Sequence, residues 1–136
     1  MILGHGIDIV NVDRIEKAFA RFGSKFVAKV LSSSEMDDFS RCKDADKTTF
    51  LAKHFAVKEA VSKAIGCGLI NGSPLHFRDI SLHHYPFGKP YILLTEKLVY
   101  LANSMTGING ANIDFHVSIS DDKNMVIASI IMTDGR

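Results

Sequence analysis

Residues 48–66, TTFLAKHFAVKEAVSKAIG, decide how the rest of the chain is read. Thr48 to Ile65 reads as one helix, and Gly66 and Gly68 end it. Leu51, Phe55, Val61 and Ile65 are among the apolar residues that spread around most of its circumference, and a helix apolar nearly all round is a buried one. Glu59 and Lys63 lie four residues apart on it and share a face, flanked by Phe55 and Ser62. On a solvated helix such a pair contributes only a few tenths of a kcal/mol. On a mostly buried helix the glutamate needs a partner. A second carboxylate sharing a cation with it would supply one, since Mg2+ takes one or two carboxylates and leaves positions open for substrate phosphates.

The segments around this helix alternate in period. Ile2 to Val10 is strand-like, with Ile7 and Ile9 pointing one way and Asp8 and Val10 the other. Asp13 opens a helix, with Glu16 at capping-box spacing and Gly23 as its stop. Residues 32–47, SSSEMDDFSRCKDADK, are polar and helix-compatible, with a cap among the serines. Ile70 to Leu75 is a loop. A hairpin follows, Asp79 to Tyr85 and Tyr91 to Thr95 about a turn at Pro86-Phe87-Gly88. Glu96 to Met105 is a short helix, and 106–112 is a Gly/Asn-rich loop. Strands Ile113 to Ser120 and Met125 to Thr133 close the chain, turning at Asp121 to Asn124. The order β-α-α-α-β-β-α-β-β predicts an α+β fold, an antiparallel sheet packed against the long buried helix.

Bulk properties narrow the function classes. The 136 residues read as one domain spanning 1–136. A formal net charge of +1 gives no global field for nucleic acid or membrane. Cys42 and Cys67 show no CxxC spacing and read as reduced thiols of a cytoplasmic protein. The N-terminus lacks a basic n-region and a cleavage site, and no apolar run reaches the length of a membrane span.

Four further features carry candidate chemistry. Asp8 interrupts an apolar strand, where a carboxylate either caps the next helix or binds a cation. In FHVSIS, Phe115, Val117 and Ile119 alternate with His116, Ser118 and Ser120, so the polar face is either plain solvent surface or a phosphate contact. Gly88-Lys89-Pro90 sits at a turn with its lysine outward. Arg14, Lys17 and Arg21, followed by Lys25 and Lys29, form a basic stripe that is either a solvated face or a dock for an acidic protein.

Together these segments resemble the holo-acyl-carrier-protein synthase family, the small trimeric branch of the phosphopantetheinyl transferases. The resemblance rests on GIDIVNVDRI at 6–15, FLAKHFAVKEAVSKAIGCG at 50–68, GKP at 88–90 and HVSIS at 116–120. It implies transfer of 4'-phosphopantetheine from coenzyme A to a serine of acyl carrier protein, in support of fatty acid biosynthesis. It makes Asp8 and Glu59 the Mg2+ ligands and sets Lys63 on the transferred phosphate, with Lys58 supporting the structure or touching phosphate peripherally. Gly88, Lys89 and Pro90, with His116 and Ser118, would bind coenzyme A. Arg14 and Arg21 would receive the acidic helix of the carrier protein. The resemblance further implies a homotrimer with active sites at subunit interfaces, and leaves the serine's base between Glu59 and Asp8. One departure is His54, where relatives often carry an arginine that contacts phosphate. The competing reading is a non-catalytic trimeric module that holds a nucleotide or an acidic partner.

Overall fold

The computed structural model describes residues 1–135. Its elements are β1 (Ile2–Asn11), α1 (Val12–Phe22), α2 (Ser24–Val30), α3 (Ser33–Arg41), α4 (Asp44–Ile65), β2 (Leu82–His84), β3 (Pro90–Ile92), α5 (Glu96–Thr106), β4 (Ile113–Asp122) and β5 (Met125–Asp134). The α+β expectation holds. One antiparallel sheet has the order β1-β5-β4, and β2 and β3 form a separate two-stranded ribbon.

Helix α4 covers one face of the three-stranded sheet. Leu51, Ala52, Ala56, Val57, Ala60 and Val61 are fully buried there against Val126, Ala128, Ile130 and Met132 of β5. Alanines on the helix and glycines on the strand let the two backbones approach. A Cβ added to Gly6 would lie 1.8 Å from the Ala60 carbonyl oxygen, and one added to Gly4 would lie 2.0 Å from that of Ala64. This contact brings Asp8, two residues beyond Gly6, up to the C-terminal half of α4.

Several local readings are corrected. Helix α1 is capped by Asn11, whose side-chain oxygen accepts from the Asp13 N–H at 2.9 Å, so Asp13 is the second helical residue and not the cap. Asp8 therefore does not cap the helix. The polar stretch 32–47 is not one element: α3 ends at Arg41, and α4 starts at Asp44, four residues before Thr48. A short helix, α2, fills residues 24–30. The predicted first hairpin shrinks to three residues per strand, because Phe77–Asp79 forms a 3-10 turn instead. The last hairpin is longer than expected, and Lys123 and Asn124 alone separate the paired Asp122 and Met125.

Candidate active site

On α4, Lys63 donates to the Ile7 carbonyl at 2.9 Å and to Asp8 Oδ1 at 3.2 Å, which fixes the edge strand β1 to the helix. Strand alternation turns Asp8 and Val10 inward and leaves Ile7 and Ile9 outward, as the sequence indicated. Glu59 lies one helical turn before Lys63 and is half-buried. Burial, then the nearby Asp8 charge, pushes its carboxyl up, and Lys63 pulls the other way. Among the described residues, the Glu59 carboxylate makes no side-chain hydrogen bond, and Asp8 accepts only from Lys63. Two hard oxygen donors from different elements, close enough to repel, suit a small divalent cation whose shell phosphate completes. The pair forms no cluster of three or more metal-ligating side chains among the described residues.

The residues expected to bind coenzyme A lie elsewhere. Gly88, Pro90 and Ser118 line one cleft of about 280 Å³ together with Lys53, His84 and Asp121. Asp8 and Lys63 line another, with Ile7, Ile9 and Ile127, and the two clefts share no residue. Helix α4 crosses the sheet diagonally between them. Its Lys53 meets Asp121 of β4 at 3.5 Å, and its Lys63 meets Asp8 of β1, at opposite edges of the sheet. Lys89 is exposed at the tip of its turn, and its carbonyl accepts from the Tyr85 N–H. His116 is on the outer sheet face, with Nε2 3.2 Å from Thr133 Oγ1. One chain therefore brings together Asp8, Glu59 and Lys63, and separately Gly88, Pro90 and Ser118, and it does not join the two groups.

Arg14, Lys17 and Arg21 are exposed on α1, and Lys25 and Lys29 continue the basic face on α2. The guanidinium of Arg21 lies 5.1 Å from the centre of the half-exposed Phe22 ring. Beside them Ala18, Phe22 and Phe26 line an apolar cleft of about 310 Å³. Basic rim and apolar floor lie side by side.

Two further residues of the helix motif have a different task. Lys58 and His54 are buried with Glu35 of α3. Glu35 accepts from Lys58 Nζ at 2.5 Å, from the Ser32 N–H at 2.7 Å, from His54 Nδ1 at 2.5 Å and from the Leu82 N–H at 2.9 Å. Lys58 also donates to the Val30 carbonyl at 2.6 Å. Lys58 is therefore structural and touches no phosphate. His54, 3% exposed and bonded to Glu35, is committed to this knot, although it also lines the cavity beside Phe50, Lys53 and His84. Sequence reasoning missed Glu35 as the centre of this knot. The one local signal, Ser32-x-x-Glu35 at capping-box spacing, marks a helix start and says nothing of the burial or of the partners His54 and Lys58.

The match to a family model described as the 4'-phosphopantetheinyl transferase superfamily spans residues 4–123. The chain belongs to that superfamily. Within it, a holo-[acyl-carrier-protein] synthase of Vibrio campbellii is 42% identical over 130 residues, covering 96% of each chain. The crystal structure of a holo-[acyl-carrier-protein] synthase from Neisseria meningitidis matches with a TM-score of 0.82 at 33% identity, over 98% of this chain and 99% of that one. The Helicobacter pylori synthase, solved in complex with coenzyme A, matches with a TM-score of 0.75 at 36% identity, over 95% and 99%. Relatives with these names do not favour the non-catalytic binding module. No helix among the described residues is long and apolar enough to cross a membrane.

Proposed function

We propose that this chain is a Mg2+-dependent transferase that moves 4'-phosphopantetheine from coenzyme A to a serine hydroxyl of apo-acyl carrier protein, releasing adenosine 3',5'-bisphosphate. The observation that carries the reading is the convergence of Asp8 and Glu59, with Lys63 beside them, at one edge of the sheet in a member of this superfamily. Asp8 and Glu59 would hold the cation. Its chemistry there is neutralisation of the diphosphate and of charge developing on the transferred phosphoryl group. Lys63, whose side chain is 52% exposed, can turn its ammonium from Asp8 to that group and supply a fixed positive charge. Arg14 and Arg21 present a basic face to an acidic helix of the carrier protein, and the neighbouring apolar cleft receives its apolar side chains.

An active site shared between copies accounts for the separation of the two clefts: the metal pair of one chain would meet Gly88, Pro90 and Ser118 of the next. The uncovered sheet face supports such an assembly. Ile7, Ile9, Ile127 and Ile131 are 37–58% exposed on it, and contiguous apolar patches of this kind mark interaction surfaces. A homotrimer of the 15.0 kDa chain fits the reading and is checked by sedimentation. Two free cysteines fit work in the cytoplasm.

The test is intact-mass spectrometry of apo-acyl carrier protein incubated with the full chain, coenzyme A and Mg2+. A gain of one phosphopantetheine that EDTA abolishes supports the reading. No gain, from protein that still binds coenzyme A, contradicts it and favours a binding module.

A further inference from the structure

We infer that His5 makes the assembly of this chain acid-sensitive: the joined copies hold its imidazole neutral, and protonation parts them. The inference rests on the reading that copies meet through the uncovered face of the sheet β1-β5-β4. Strand alternation puts His5 on that face with Ile7 and Ile9, since Gly4, Gly6 and Asp8 are turned toward α4. The pairing register sets His5 directly across from Ile131, Ile7 across from Ser129 and Ile9 across from Ile127. His5 is exposed in the separate chain and borders the exposed isoleucines. A second copy that covers those isoleucines takes the imidazole out of water with them.

The groups around His5 satisfy a neutral ring and leave a charged one unanswered. Its Nε2 is 3.4 Å from Ser129 Oγ, a hydrogen bond that a neutral imidazole completes. Facing it on β5 are Ser129, Ile131 and Thr133, none of them ionisable. On β4, His116 flanks Ile131 from the other side, two strand spacings or about 10 Å from His5. Asp114 on the same strand lies 3.9 Å from His116 Nε2, on the far side of β5 from His5. On β1 itself, Asp8 is held by Lys63 on the opposite face, and the Met1 ammonium donates to the Asp134 carbonyl. Among the described residues no carboxylate pairs with His5.

A charge removed from water without a partner is costly, and a second imidazolium beyond Ile131 adds repulsion. The separate chain leaves His5 in water, where either form is tolerated. The proton therefore binds the separate chain better than the assembly, so acid drives dissociation. Each imidazole kept neutral in the assembly and protonated on release adds about tenfold to dissociation per pH unit below the range where histidine titrates. A trimer releases one from each copy. Because the metal pair and the nucleotide cleft would meet only across copies, acid would take the active site apart through this face.

The experiment is sedimentation velocity of the full chain over a dilution series at about pH 8 and about pH 5.5, on either side of the histidine range, with far-UV circular dichroism to confirm that the fold persists at both. Wild type should be assembled at the higher pH, and the concentration at which it separates should rise by at least about tenfold at the lower one. His5→Leu extends the apolar patch and carries no proton, so it should stay assembled at both. His5→Lys carries the charge at both and should be separated at both. A wild-type chain equally assembled at the two pH values, a His5→Leu chain that separates in acid as wild type does, or a His5→Lys chain that assembles like wild type would overturn the role of His5 and leave the assembly reading standing. A folded wild-type chain that is monomeric already at pH 8 would overturn both.

Discussion

Lys58 and Lys63 of helix α4 lie five residues apart, and each is paired with a carboxylate from another element. Lys58 meets Glu35 of α3 with both side chains at 0% exposure, whereas Lys63 meets Asp8 of β1 with the two at 52% and 16%. Around Glu35 four donors converge and leave no place for a ligand. Around Asp8 and Glu59 the acceptors greatly outnumber the donors. The same pairing of lysine with carboxylate therefore gives a structural knot where water is excluded and, on the proposed function, a reactive site where it is not. Burial commits a charge pair, and incomplete satisfaction keeps it available.

The comparison breaks if the buried knot can be opened cheaply. Glu35→Gln leaves Lys58 charged and uncompensated in the core, and should cost about 3–5 kcal/mol. That is a large share of the roughly 5–15 kcal/mol a domain possesses, and a urea unfolding curve reads it. An unfolding midpoint unchanged by Glu35→Gln would remove the knot from the account.

Acid should act next most strongly, and on the buried cluster. Burial works to raise the Glu35 carboxyl, but the hydrogen bonds and charges of His54 and Lys58 outweigh it and hold the carboxyl at about 2, against an ordinary 4.5. A carboxyl depressed in the folded state stabilises above its unfolded value, and the gain disappears as pH falls through the folded one. The loss should fall between pH 4.5 and 2, of the order of 3 kcal/mol at about 1.4 kcal/mol per unit. Burial also pushes His54 below its ordinary 6.5, despite Glu35, so the unfolded chain gains a proton first and stability starts to decline below that pH. Urea midpoints at pH 7, 5 and 3 trace the profile, and Glu35→Gln should flatten its acid limb.

Gly6→Ala sharpens the comparison from the backbone side. Its methyl would meet the Ala60 carbonyl and push β1 off the helix. Overpacking of this kind costs about 1–3 kcal/mol. Because Asp8 rides on the same strand, transfer activity should fall further than the loss of stability explains, while the Glu35 knot on the far side of α4 keeps its acid profile.

Much of this contrast was readable in the residues. Asp8 stood out because a charge inside a period-two apolar strand has no local explanation. Glu59 and Lys63 stood out because their helix had almost no solvent side. Glu35 was not readable in the same way. In SSSEMDD it resembles any acidic residue in the first turn of a surface helix, and its partners His54 and Lys58 lie 19 and 23 residues away. Burial created by tertiary packing leaves no local mark. Helix α2 was missed for a related reason: seven residues are too few to show a period, and its order comes from packing Val27 and Val30 into the core. The separation of Gly88 and Ser118 from Asp8 depends on the sheet order β1-β5-β4, which chain order does not reveal.

The most direct test of the division of labour is Glu59→Gln, followed in one preparation by carrier-protein mass gain and by thermal unfolding. The account predicts that transfer falls by about 10²–10³, that added Mg2+ no longer stimulates it, and that the melting temperature stays near wild type. A Glu59→Gln chain that transfers phosphopantetheine at the wild-type rate, or that loses activity only because it unfolds, would contradict it.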